Sequence, residues 1–141
     1  MKHLNSVNNW DLVDTSAPYI VGDYLYKNPK KSKILLEFSQ SENLWIRRIS
    51  IVSTLTFIKN NEFNQTLKIA NLLIYDDHDL IHKAVGWMLR EIYKRDESLI
   101  KQFLRQNYAQ IPRTTLRYAI ERMDKEERLL YLKGNFDVSQ R

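Results

Sequence analysis

Apolar residues recur every three or four positions along almost the whole chain, the spacing that gathers them on one face of an α-helix. The pattern predicts helices near residues 6–14, 18–27, 31–40, 43–60, 62–75, 79–95, 97–107, 112–123 and 124–133. Local chemistry agrees with these bounds. Asp79 can cap the helix that begins at Leu80, and Pro112 suits a first helical turn. Pro29, after Lys27-Asn28, ends a helix, because the residue before a proline is pushed out of the helical region. Asn60-Asn61 and Asp76-Asp77 interrupt the periodic segments. The run from Tyr19 to Tyr26 has a strand-like composition, but no other segment would pair with it, so a helix is predicted there.

Many helices with short connections point to antiparallel pairs stacked in series, as one domain over residues 1–141. A faint internal repeat supports this. Trp45-x-x-Arg48 recurs as Trp87-x-x-Arg90, a spacing of 42 residues for both residue types, with Ile49 and Ile92 nearby. That falls within the ~40–47-residue period of HEAT-type helical pairs. The expected fold is all-α, a HEAT-like α-α solenoid. Composition sharpens it: the 141 residues include only 3 Gly and 3 Pro, where average usage would give about 10 and 7, which argues against a many-turned β-sandwich or barrel and for long helices. The chain has no Cys, which removes disulfide scaffolds, cysteine zinc sites and thiol nucleophiles. No apolar run approaches the ~20 residues of a membrane helix. The first residues, Met1 to Asn5, lack the apolar core of a secretory signal, and a cytoplasmic protein is expected. With 22 Lys+Arg against 17 Asp+Glu the net charge is +5, which allows a polyanionic partner without demanding one.

On a helical wheel of residues 44–58, Leu44, Trp45, Ile49, Ile51, Val52, Leu55 and Ile58 occupy one broad arc. Arg48 falls near its middle and Arg47 at its edge. A guanidinium among apolar side chains must be compensated. The wheel alone favours a buried ion pair or a snorkelling side chain over a phosphate contact. In the 79–95 helix, Leu80, Ile81, Ala84, Val85, Met88, Leu89 and Ile92 form the core face. Lys83, Gly86, Trp87, Arg90 and Lys94 form a second stripe. Either it is a solvated face with a tryptophan tucked at the core edge, or it is a phosphate-tracking ridge with an aromatic platform. Gly86 can let another backbone come close. Near the start, Trp10 and Asp14 lie four residues apart on one helix face; by spacing alone Asp14 reads as the end of a short helix.

Other constellations carry less. His78 and His82 with Asp76, Asp77 and Asp79 resemble half a metal site, but they lack the H-E-x-x-H arrangement and a third ligand, so a capped helix start is the better reading and no metal is expected. No P-loop, dinucleotide fingerprint or G-x-S-x-G is present, and no cofactor is expected. Lys27, Lys30, Lys31 and Lys33 form a cluster that reads as a solubilising loop.

Three segments change this picture when taken in order: Trp10-Asp11-Leu12-Val13-Asp14, Leu44-Trp45-Ile46-Arg47-Arg48, and Lys83-Ala84-Val85-Gly86-Trp87-Met88-Leu89-Arg90-Glu91. Together they resemble the DNA alkylation repair family of HEAT-like DNA glycosylases (the AlkD type), over about residues 8–132. The resemblance implies an α-α superhelix with a basic face for duplex DNA, and a protein associated with the nucleoid. It implies hydrolysis of the N-glycosidic bond of cationic alkylpurines such as N3-methyladenine and N7-methylguanine. It assigns the catalytic carboxylate to Asp14, the active-site tryptophans to Trp10 and Trp87, and the cleft arginine to Arg48. On that reading Arg47, Lys83, Arg90 and Lys94 supply phosphate contacts. Arg48 and Asp14 then become functional rather than structural. Relatives of this type carry several more helices before the Trp-Asp motif. The chain is therefore expected to be shortened at its N-terminus, with an apolar helical face left to cover, by a homodimer or by repacking of the first helix. The alternative is a non-catalytic helical-repeat module that binds DNA or protein.

Overall fold

The computed structural model describes Ser16 and residues 18–135; the predicted helix 6–14 lies outside the described residues. A π-helical turn, Pro18–Gly22, runs into α1 (Asp23–Lys27), and a 3-10 turn, Pro29–Lys31, leads to α2 (Lys33–Ser39). There follow α3 (Leu44–Val52), α4 (Leu55–Lys59), α5 (Asn64–Leu73), α6 (Asp79–Tyr93), α7 (Glu97–Gln106), α8 (Arg113–Ala119) and α9 (Lys125–Lys133). The described residues contain no strand, and the Tyr19–Tyr26 run is helical.

The predicted helix 43–60 is broken into α3 and α4 at Ser53-Thr54. The cause is local. The Thr54 amide bonds Ile51 O, three residues back, at 3.1 Å, and its hydroxyl donates to the same carbonyl at 2.6 Å. A threonine that offers its backbone this alternative interrupts the regular ladder. The break turns the Ser53 carbonyl toward Gly22, where any Cβ would collide with it. The Asn60-Asn61 interruption is equally physical. Asn61 takes a left-handed φ of 61°, its amide bonds Ile58 O at 2.9 Å, and the Glu62 amide bonds Phe57 O at 2.9 Å. This is a Schellman ending, which satisfies the last carbonyls of α4.

One expectation about α6 is corrected. Asp79 is its first helical residue, not its cap: the imidazole Nδ1 of His78 accepts the Leu80 amide at 3.2 Å, and Asp79 complements the helix dipole.

The helices stack as packed pairs. α2 lies against α3 and α5 against α6, while α3, α6 and α8 neighbour one another in one row and α2 meets α5 in the other. α6 and α8 run parallel: Thr114 reaches Asp79, Thr115 reaches the His82 carbonyl, and Glu121 reaches Arg90. Leu35, Ile51, Ile69, Ile81, Leu89, Ile100 and Leu116 are fully buried between the rows. Each such side chain contributes about 1.5–3 kcal/mol of burial. α6 is the central element because it touches both neighbours in its row and its own backing helix. Among the described residues, no helix is long and apolar enough to cross a membrane.

Candidate nucleic-acid interface

α6 and α8 approach closely at Gly86. A Cβ there would stand 2.5 Å from Tyr118 Cβ and 2.9 Å from Thr115 O. The glycine in the α6 stripe therefore admits α8, and the stripe turns one flank onto that helix. Trp87, the next residue, is half-buried and packs against the core while keeping an accessible edge.

Arg48 is only 2 % exposed, and its Nη1 donates to the Leu80 carbonyl in the first turn of α6. A buried guanidinium has to be hydrogen-bonded, and a carbonyl on the next helix of the row supplies that need. Arg90 repeats the arrangement one step along. It reaches forward to Glu121, just beyond α8, and lies over the Tyr118 ring at 6.0 Å. Arg48 spans 32 residues to its acceptor and Arg90 spans 31. The Trp-x-x-Arg repeat is thus a brace that ties each helix of this row to the next. Arg48 accordingly sits inside the packing at the α3–α6 junction, not on an open surface.

Arg47 is also engaged. Its Nε donates to Asp76 Oδ2 at 2.7 Å, and Nη1 donates to the Ser41 and Glu42 carbonyls at 3.0 and 3.2 Å. It pins the start of α3 to the turn before α6. Asp76 also fixes His82, whose ring meets the Asp76 carbonyl. Lys83 pairs with Asp79 at 3.3 Å and Lys94 with Glu91 at 2.9 Å. So Arg47, Lys83, Arg90 and Lys94 each hold a carboxylate, and any phosphate they bind must compete with it. Sequence spacing could suggest the i,i+4 and i,i+3 pairs, but Asp76 and Glu121 arrive from other elements. Two further residues, both on α8, had not been singled out. Tyr118 carries the Arg90 guanidinium on its face. Arg117 on α8 is exposed and has no carboxylate partner among the described residues.

Asp79 has its carboxyl held below the usual value of 3.8, chiefly by the Thr114 hydroxyl, which donates at 3.1 Å, and also by Lys83. The lowered value means the carboxylate stabilises the fold above pH 3.8, and that contribution is lost as pH falls through the lower folded value. Thr114→Val is expected to move the Asp79 carboxyl up toward 3.8, read from its side-chain carbonyl shift in an NMR titration. An unchanged midpoint would mean that the neighbouring Lys83 and His82 set it.

The structure brings Lys83, Trp87, Arg90 and Lys94 onto one stripe of α6 and joins Arg48 to the start of the same helix. Trp10 and Asp14 lie outside the described residues. His78 and His82 serve the α6 start, and no group of three or more potential metal ligands occurs among the described residues.

An all-helical stack of pairs with a 42-residue brace motif, and a helix that presents cations around a tryptophan, defines a helical-repeat protein suited to a polyanion. The chain belongs to the DNA alkylation repair enzyme family, whose model matches residues 1–123. That membership gives it a role in DNA repair, with DNA as its partner. No curated protein matches it.

Proposed function

We propose that the chain is a DNA glycosylase that hydrolyses the N-glycosidic bond of cationic alkylated purines, N3-methyladenine and N7-methylguanine, in duplex DNA. The observation that carries this reading is the family match over residues 1–123, a span that includes Trp10, Asp14, Arg48 and Trp87 together.

The chemistry asks little of the protein beyond electrostatics. A purine already positively charged leaves with the bonding electron pair as a neutral base, so no general acid is needed. Positive charge is left on the sugar, as in other glycoside cleavages. The Asp14 carboxylate stabilises that charge and accepts a proton from the water that attacks C1′. Trp10 and Trp87 flank the cationic nucleotide through cation–π contact. Arg48, enclosed at the α3–α6 junction, fixes the start of the helix that bears Trp87 through its bond to the Leu80 carbonyl, so its part is to position that helix. Lys83, Arg90, Lys94, Arg47 and the exposed Arg117 give sequence-independent phosphate contacts.

The carboxylates bound to these cations have a measurable consequence. Glu121→Gln is expected to strengthen duplex binding a few-fold at low salt, because it releases Arg90 and removes a charge that repels phosphate. Lys83→Ala is expected to weaken binding on every sequence and flatten the salt slope by about one unit. Fluorescence anisotropy against a labelled duplex reads both, and an unchanged affinity in both variants would remove α6 from the interface.

The direct test of activity counts abasic sites and free methylpurines after incubation with methylated duplex DNA. Release above the spontaneous rate is expected. The neutralised cations favour one competing reading, a non-catalytic DNA-binding module. A folded protein that binds the duplex and releases nothing would establish that module instead.

A further inference from the structure

Among the described residues, the first and last helices present different surfaces. At the C-terminal end, α8 and α9 present Arg113, Arg117, Lys125 and Glu126 to solvent, with Leu129 as the large apolar exception. At the other end, Ile20 is 67 % exposed and Tyr24 49 %. Both side chains stand on one exposed face of the first described helices. Between the Pro18–Gly22 turn, α1 and the start of α2 lies a groove of about 500 Å³, lined by Ile20, Val21, Tyr24, Leu25, Lys31 and Ile34. Its wall is apolar and its rim is basic. Lys31 Nζ donates to the Tyr24 hydroxyl at 2.9 Å and is held against that ring, so one cation is fixed at the edge. Lys30 and Lys33 flank it, exposed and without a carboxylate partner among the described residues, whereas Lys27 is neutralised by Asp23 at 3.0 Å.

We propose that this groove docks an amphipathic helix with an acidic flank, supplied by another protein. Its apolar side chains would enter between Ile20, Tyr24 and Ile34, and its carboxylates would meet Lys30, Lys31 and Lys33. Helix-in-groove recognition uses this combination of an apolar trough and a charged border. Charge complementarity selects the occupant. A second copy would bring one lysine cluster toward its own duplicate, which is repulsive. Duplex DNA would satisfy the lysines but leave the apolar trough uncovered, because its affinity comes from phosphate contacts.

The test uses a fluorescein-labelled synthetic helix of Leu, Ala and Glu, about 18 residues long so that it is helical in water, and an analogue with Lys at every Glu. Anisotropy with the full chain is expected to show the acidic probe binding at least about ten-fold tighter than the basic one. Ile20→Asp, at an exposed position that leaves the fold intact by circular dichroism, is expected to abolish binding. The double change Lys30→Glu, Lys33→Glu is expected to reverse the preference between the two probes. The proposal is overturned if the acidic probe fails to bind, if both probes bind equally, or if a 20-base-pair duplex displaces the acidic probe. It is equally overturned if sedimentation shows a concentration-dependent dimer that Ile20→Asp dissolves.

Discussion

Asp14→Asn is expected to lower base release by at least about 100-fold while leaving duplex affinity within about two-fold, the signature of a group that stabilises charge in the transition state. The two side chains have nearly the same volume, so the variant isolates the charge. The lesion is positively charged before the bond breaks, and a carboxylate attracts that ground state as well. As cleavage proceeds the charge moves from base to sugar, and the interaction that matters is with the sugar. Loss of the carboxylate also leaves the attacking water without a proton acceptor. Single-turnover kinetics on a duplex with one N7-methylguanine, beside anisotropy on the same duplex, separate the two quantities. Release at the wild-type rate would remove Asp14 from the chemistry. An equal loss of binding and release would make it a DNA contact.

Gly86→Ala is expected to lower stability by about 2–3 kcal/mol, near the upper end for inserting a methyl group into a packed contact. The new Cβ meets Tyr118 Cβ at 2.5 Å, Thr115 O at 2.9 Å and Thr115 Cα at 3.2 Å. None of these is the free end of a flexible side chain, so α8 must move as a body. Alanine regains about 1 kcal/mol as a better helix former, which offsets part of the cost. For a chain of this length the net change lowers Tm by about 8 °C in a thermal circular dichroism scan. An unchanged or higher Tm would mean that α6 and α8 separate easily. The same shift would displace the Arg90 brace and tilt Trp87, so duplex binding should weaken along with stability.

The helical class was legible because each core face repeats its apolar residues at helical spacing, as Ile81, Ala84, Val85 and Met88 do in α6. The 42-residue recurrence of tryptophan and arginine was legible too, but its meaning was not. The arginines brace successive helices, and their acceptors, the Leu80 carbonyl and Glu121, lie 32 and 31 residues on. No wheel of a single helix contains them. The wheel favoured a buried ion pair or a snorkelling side chain for Arg48, and the side chain is 2 % exposed with the Leu80 carbonyl as an acceptor. The break at Thr54 was invisible because apolar periodicity runs through it, and the decisive contact is a hydroxyl to a backbone carbonyl. The cations of the α6 stripe were visible as a line, whereas the carboxylate on Arg90 comes from beyond α8 and the one on Arg47 from the turn before α6. The basic Lys30 to Lys33 loop was read as solubilising because sequence order does not reveal the apolar groove beside it.

The central claim concerns bond cleavage, and one rate tests it most directly. The purified chain is incubated in excess over a duplex that carries one N7-methylguanine, and the free base is followed by chromatography against spontaneous depurination of the same duplex. Loss of the base well above that background, leaving an abasic site in an unbroken strand, is the expected result. A rate equal to background, from a folded protein saturated with the duplex, would contradict it.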